Sequence, residues 1–241
     1  MKIFYDVDTQ NDFMNKNGVL YVPDAELIKH DLWRLTDYAK RHKIPIVGSV
    51  DQHFGTEEYK LRERELQQNG GPFPDHCLAG TDGQKKIELT QTAYSEMMGI
   101  PPTDEGIYIP HYLDGKVRTL NLIHAINRVV QPGLKINDQI GLYFEKQSYD
   151  VFTNPAIGAF LELAEVNEAV VYGVATDYCV KAAVLGMQKM GIQCYVVEDA
   201  IKGVTPETEK AALTEMLSSG AKLTTVETIL KECLKQKEAR K

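Results

Sequence analysis

The sequence predicts an α/β protein, a three-layer α/β/α sandwich around a central, mostly parallel sheet. Three observations predict it. Apolar strands and amphipathic helices alternate along the chain, the pattern of right-handed crossover units. The strands are short and apolar at successive positions rather than at every second one, so both of their faces are to be covered. No Ser-, Gly- or Pro-rich linker and no internal repeat divides the 241 residues. A single domain over 1–241 is therefore expected, a length that one core can fill.

Residues 2–7 open as a strand that runs into acids and amides. Residues 24–41 read as a helix: Asp24 can cap it, and Leu27, Ile28, Leu32, Leu35 and Ala39 recur near the helical period. Residues 44–50 make a short buried strand, with Pro45 near its start, where a missing donor is tolerated. Residues 51–83 are mostly irregular. One polar helical stretch near 57–68 is expected there, broken by Gly70, Gly71, Pro72 and Pro74. A helix over 84–98, a strand at 107–109, a helix over 116–130 and a strand at 138–144 follow. Pro155 precedes a helix over 156–165. Residues 168–174 are the clearest buried strand. A helix from about 178 to 190 comes next, with Val180, Ala183, Val184 and Met187 on one face. A strand at 192–197, a helix at 206–218, a strand at 222–226 and a charged C-terminal helix complete the order.

Lys plus Arg number 27 and Asp plus Glu 34, a formal charge of −7. That acidity argues against a nucleic-acid or anionic-membrane partner. No apolar run approaches the roughly 18 residues of a membrane span. The first residues reach Asp6 without the apolar region of a signal peptide, so a cytoplasmic location is expected. The four cysteines, Cys77, Cys179, Cys194 and Cys233, form no CxxC pair and no disulfide scaffold. No P-loop is present, and the glycine fingerprint of a dinucleotide-binding oxidoreductase is missing.

In open parallel sheets, sites lie at the carboxyl ends of the strands. Three such ends carry reactive side chains: Asp8 after the first strand, Lys146 after the strand at 138–144, and Cys179 at the expected helix start after residues 168–174. A helix N-terminus offers unpaired N–H groups and a positive dipole end, so the Cys179 pKa is expected to be depressed. The neighbouring N–H groups can also face an oxyanion. A thiol nucleophile needs a proton acceptor and benefits from a cation, which Asp8 and Lys146 supply if the sheet brings their strand ends together. Taken singly, each has an ordinary alternative: a turn-capping Asp, a solvated Lys, a Cys packed under the sheet.

A second group is Asp51-Gln52-His53, again straight after a strand, with His76 further on. Asp-x-His sets two ligand-type side chains on one side of an extended segment. Two histidines and a carboxylate, with water in the open positions, suit zinc, iron or manganese. Glu57, Glu58 and Asp75 are the candidate further ligands, and polar surface histidines are the alternative reading. His30, His42 and His124 fall in helical stretches, and His111 in a turn.

Together these residues resemble the isochorismatase-like cysteine hydrolases, and within them the nicotinamidases, also called pyrazinamidases. The motifs run over residues 3–203. Asp8-Thr9-Gln10-Asn11-Asp12-Phe13 resembles the segment that begins with the catalytic acid. Asp51-Gln52-His53 resembles the metal segment. Phe73-Pro74-Asp75-His76-Cys77 with Gly80-Thr81-Asp82-Gly83 resembles the stretch carrying the next ligand. Lys146 with Tyr149 and Phe152 resembles the catalytic lysine segment. Gly173-Val174-Ala175-Thr176-Asp177-Tyr178-Cys179-Val180 resembles the nucleophile motif, and Glu198-Asp199-Ala200 with Gly203 the segment after the next strand.

The resemblance implies the family's Rossmann-like topology and hydrolysis of nicotinamide to nicotinate and ammonia, a reaction of NAD salvage, through a thioester. Asp8, Lys146 and Cys179 would be catalytic. The backbone N–H groups of Ala175 and Cys179 would form the oxyanion hole, with a cis Val174–Ala175 peptide. Asp51, His53 and His76 would hold one divalent metal ion, zinc ahead of iron or manganese, that meets the pyridine nitrogen. Phe13 and Phe73 would hold the ring flat. The partner is thus a small amide, with neither nucleic acid nor membrane, and a homo-oligomer is compatible with it. The chain departs from the pattern in having Gln52 where a Trp is usual, Phe54 where a Pro is usual, and no further His downstream. Those departures leave the fourth ligand open. The segment 84–135 is longer than in a minimal relative. The rival readings are a cysteine amidase of the same superfamily acting on another small amide or ureido compound, and a non-catalytic binding protein on this fold.

Overall fold

The computed structural model describes residues 1–92, 107–111, 130–131, 135–136 and 141–231. Seven strands make one sheet: β1 (Lys2–Val7), β2 (Ile46–Asp51), β3 (Ile107–Ile109), β4 (Leu142–Lys146), β5 (Glu168–Val174), β6 (Gln193–Lys202) and β7 (Lys222–Thr224). Their order is β3-β4-β2-β1-β5-β6-β7, and every neighbouring pair is parallel. A small antiparallel ladder joins Val130–Gln131 to Lys135–Ile136. Among the described residues the longer helices are α1 (Lys29–His42), α2 (Pro155–Leu163), α3 (Lys181–Lys189) and α4 (Pro206–Ser218).

The doubly apolar strands are covered on both faces. Ile3, Tyr5 and Val7 of β1 enter one core with Phe160 of α2, Val184 of α3 and Met216 of α4. Phe4 of the same strand enters the other core with Leu32 and Leu35 of α1. The period-two alternation of side chains thus feeds two separate layers. Proline and cap chemistry start two of the helices. The Asn154 side chain accepts from the Ala156 N–H just ahead of α2, and Thr205 from Thr208 N–H at α4.

Several boundaries differ from expectation. Asp24 is left-handed and makes no side-chain cap; residues 25–28 are a 3₁₀ turn, and α1 begins at Lys29. No helix forms near 57–68. Turns and a 3₁₀ turn at Gln67–Asn69 replace it, because Glu63 is drawn inward to accept the N–H groups of Phe54 (2.5 Å) and Gly55 (2.9 Å). Local helix propensity yields there to buried polar pairing. Of the helix expected at 84–98, the described part holds only a 3₁₀ turn at Glu88–Thr90. The helix expected at 116–130 lies, apart from Val130 in the small ladder, outside the described residues, as do 138–140 of the expected strand. That strand ends at Lys146, so the lysine is its last residue. β6 runs five residues further than 197, past an irregularity in its pairing with β5.

Gly173 marks the closest approach of β5 to β1. Its φ is 117°, and a Cβ there would sit 2.1 Å from the Val7 carbonyl oxygen. On the α1 side of the sheet, Lys86 and Asp6 form a buried ion pair at 2.9 Å. Lys86 also donates to Thr9 Oγ1 at 2.7 Å and stands 4.4 Å from the centre of the Tyr143 ring. The pair pins the segment after Gly83 onto the start of the Asp8 turn. Lys86→Met should destabilise the protein by about 3–5 kcal/mol, because it strands a buried carboxylate. Urea denaturation reads this, and a loss below about 1 kcal/mol would contradict the assignment.

Candidate active site

The parallel register delivers the reactive groups to one edge. Val7 pairs with Ser49 and with Gly173, and Asp51 pairs with Lys146. The side chains just beyond β1, at the ends of β2 and β4, and after β5 therefore meet where the strand order reverses around β1. Asp8 turns off β1 in the left-handed region, φ 48°, with its N–H on the Ser49 carbonyl. Cys179 lies inside a π-helical turn, Thr176–Val180, and α3 begins two residues later at Lys181. The expected placement of Cys179 at the first turn of an α-helix is corrected accordingly.

Lys146 is the hub. Its ammonium pairs with Asp8 Oδ2 at 2.9 Å and with Asp51 Oδ1, and lies 3.5 Å from Cys179 Sγ. Ser49 donates to Asp8 Oδ1 at 2.8 Å, and Asp8 is also a hydrogen-bond partner of the Cys179 thiol. Burial raises the Asp8 pKa, and Lys146 only partly offsets it. Burial also acts on Asp51, but Lys146 and the two histidines outweigh it and hold that carboxyl below its usual range. Burial would discharge Lys146, yet Asp51 and Asp8 keep it an ammonium. The Cys179 thiol is pushed well up, first by burial and then by Asp8 and Asp51, against the pull of Lys146. The expected depressed thiol pKa is thus reversed: two carboxylates and desolvation outweigh one ammonium.

Asp51, His53 and His76 come together, and Glu65 joins them; one ligand atom from each lies within 4.8 Å of the others. His53 is fully buried, and neither of its ring nitrogens has a hydrogen-bond partner. Its Nε2 is 3.3 Å from Glu65 and 4.0 Å from Asp51. His76 Nδ1 is 2.7 Å from the Pro74 carbonyl, which accepts its hydrogen, and Nε2 faces Asp51 Oδ2 at 3.3 Å. Buried nitrogens without partners, aimed at carboxylates, fit a divalent cation, and the mixed nitrogen and oxygen set suits zinc, iron or manganese. Glu57, Glu58 and Asp75 are not in the group. Glu57 is exposed and pairs with Lys60, Glu58 is exposed, and Asp75 accepts the Gln68 N–H.

A cavity of about 240 Å³ is lined by Asp51, Glu65 and His76 together with Cys179 and Ala175. Phe13 and Phe73 both line it, with Tyr21, Tyr149 and Tyr178. The Phe73 ring stands edge-on to Tyr178, centroids 5.6 Å apart. The Val174–Ala175 peptide is cis, as the resemblance implies. Sequence reasoning missed Glu65 and Ser49. Glu65 lies in Arg62-Glu63-Arg64-Glu65, where alternating charge reads as a solvated face. Its inward position depends on the bridge of Leu66 to Phe73, which no local pattern announces.

The isochorismatase domain family matches residues 130–228. The chain is 26% identical to the nicotinamidase of Saccharomyces cerevisiae over 216 residues, covering 87% of this chain and 91% of that protein. It is 26% identical to the nicotinamidase of Escherichia coli over 232 residues, 91% of this chain and 92% of that one. The solved pyrazinamidase of Pyrococcus horikoshii in complex with zinc superposes with a TM-score of 0.65 at 24% identity, over 93% of this chain and 98% of that one, a likeness of fold. The chain is thus similar to isochorismatase-family hydrolases, through the family match over residues 130–228 and through relatives aligned over most of its length. The relatives named, aligned over most of both chains, are nicotinamidases. Among the described residues no helix is long and apolar enough to cross a membrane.

The raised thiol has a direct readout. In chelator-treated protein, the rate of Cys179 alkylation by iodoacetamide should still be climbing at the ordinary thiol value of 9.0. Lys146→Ala should move the rise further up in pH. A plateau reached by about pH 8 would show a depressed thiol and contradict the electrostatics.

Proposed function

We propose that the protein is a metal-assisted cysteine amidohydrolase that converts nicotinamide to nicotinate and ammonia. The observation that carries this reading is Lys146 touching both Asp8 and the Cys179 sulfur at one small cavity. The two nicotinamidase relatives, aligned over most of both chains, support it. So does the cavity, which is below the roughly 300–1,000 Å³ of pockets for larger ligands and is walled by flat rings.

A neutral thiol and a basic carboxylate suit the first step. Asp8 takes the thiol proton as Cys179 Sγ bonds to the amide carbon, and the carbonyl π electrons move onto oxygen. The raised Asp8 pKa makes that carboxylate a better base near neutral pH. Lys146 offsets the charge that leaves the thiol. The Ala175 and Cys179 N–H groups receive the oxyanion. Its collapse breaks the carbon–nitrogen bond, and Asp8 returns the proton to the leaving ammonia. Water then adds to the thioester, giving its proton to Asp8, and the second collapse frees nicotinate and restores the thiol. Asp51, His53, His76 and Glu65 would hold the cation, zinc ahead of iron or manganese; when bound, it supplies a Lewis-acid partner for the ring nitrogen. Phe13 and Phe73 keep the ring in plane. A cytoplasmic place in NAD salvage goes with this chemistry.

The test is ammonia release from nicotinamide. Cys179→Ala should lower turnover by a factor on the order of 10³ or more. Benzamide, which lacks the ring nitrogen, should be a poor substrate. A wild type that is inactive on nicotinamide but cleaves a linear amide or ureido compound would replace this substrate with the rival one.

A further inference from the structure

We propose that Gln10 and Asp12 are positioning residues that hold the two segments bearing three of the four metal ligands, Asp51, His53 and His76. One short stretch, Asp8 to Asp12, then sets both the proton acceptor and the cation site. The inference rests on the metal reading above.

Gln10 is fully buried, and its amide grips the backbone of Asp51 on both sides. The Asp51 N–H donates to Gln10 Oε1 at 2.7 Å, and Gln10 Nε2 donates to the Asp51 carbonyl at 2.8 Å. The second Nε2 hydrogen goes to the Gln84 carbonyl at 2.6 Å. Two contacts on one residue fix the peptide planes on either side of its Cα, and with them the direction of the Asp51 carboxylate. That carboxylate meets both Lys146 and His76.

Asp12 does the same for the second segment. Its Oδ2 accepts the N–H of Cys77, the peptide directly after His76, at 2.7 Å, and its Oδ1 accepts the Val19 N–H at 3.1 Å. Gly83 closes over it: a Cβ there would lie 2.2 Å from the Asp12 carboxylate. The grip reaches the other histidine as well, because the His53 N–H donates to the Cys77 carbonyl at 3.1 Å. Asn11, between the two, instead points its side chain to the exposed Asp82 carbonyl at 2.9 Å. Position 10 thus braces Asp51, and position 12 braces His76 and His53.

Supports of this kind typically govern metal affinity by 10–100-fold. The test is competition for Zn²⁺ between a chromophoric chelator and the metal-free full-length protein, at a temperature where circular dichroism shows each variant folded. Gln10→Ala and Asp12→Asn should each bind Zn²⁺ about 10–100-fold more weakly than wild type. Asn11→Ala should stay within about twofold. If Gln10→Ala does not fold, Gln10→Glu serves: it keeps the acceptor for the Asp51 N–H and loses the donor to the Asp51 carbonyl. A merely structural role would lower the melting temperature of the metal-free variants and leave the affinity of the folded protein unchanged. Unchanged affinity with tight wild-type binding overturns this inference alone. A wild type that binds no Zn²⁺ overturns it together with the metal reading.

Discussion

One buried ammonium answers for two buried carboxylates and a thiol, and the site's chemistry follows from that shortage of positive charge. Removing such ions from water costs several kcal/mol each, and only close pairing offsets it. Lys146 meets that demand for Asp8 and Asp51 at once. What it cannot also do is ionise Cys179, so the resting thiol stays protonated beside a carboxylate ready to receive its proton. The same negative excess, with Glu65 added, faces two buried histidines and makes the neighbouring corner a place for a cation. The neutral thiol and the cluster of buried histidines and carboxylates are two consequences of one charge imbalance.

The sheet makes this pairing unavoidable. Asp51 and Lys146 are register partners in adjacent parallel strands, both at the last residue. Ser49 and Gly173 flank Val7, so Asp8 emerges between the β2 end and the bend that leads to Cys179. A shift of β4 by one residue would turn Lys146 to the opposite face of the sheet. The all-parallel register, itself fixed by apolar cores on both faces, is therefore what converts distant segments into one cavity.

The strands and the reactive residues at their ends were legible because both signals are local. Residues 168–174 are apolar throughout, and Asp8, Asp51 and Lys146 follow or end such runs. The motifs around Cys179 and His76 carried the resemblance for the same reason. What was not legible depended on contacts across the fold. Glu65 reaches the site through the Leu66–Phe73 bridge. The stretch near 57–68 has helical composition, yet Glu63 satisfies backbone N–H groups elsewhere. The Cys179 pKa was misjudged because the sequence announces a helix start and a nearby lysine but not the desolvation of the half-buried thiol or the second carboxylate.

The proposed function turns on Cys179 attacking the substrate from within this cluster. Acid-quenched turnover of nicotinamide, followed by intact-protein and peptide mass spectrometry, tests it most directly. The predicted result is a nicotinoyl group on the peptide that contains Cys179, present during turnover and gone once the substrate is spent. Steady ammonia release with no acyl group on that peptide at any quench time would contradict it.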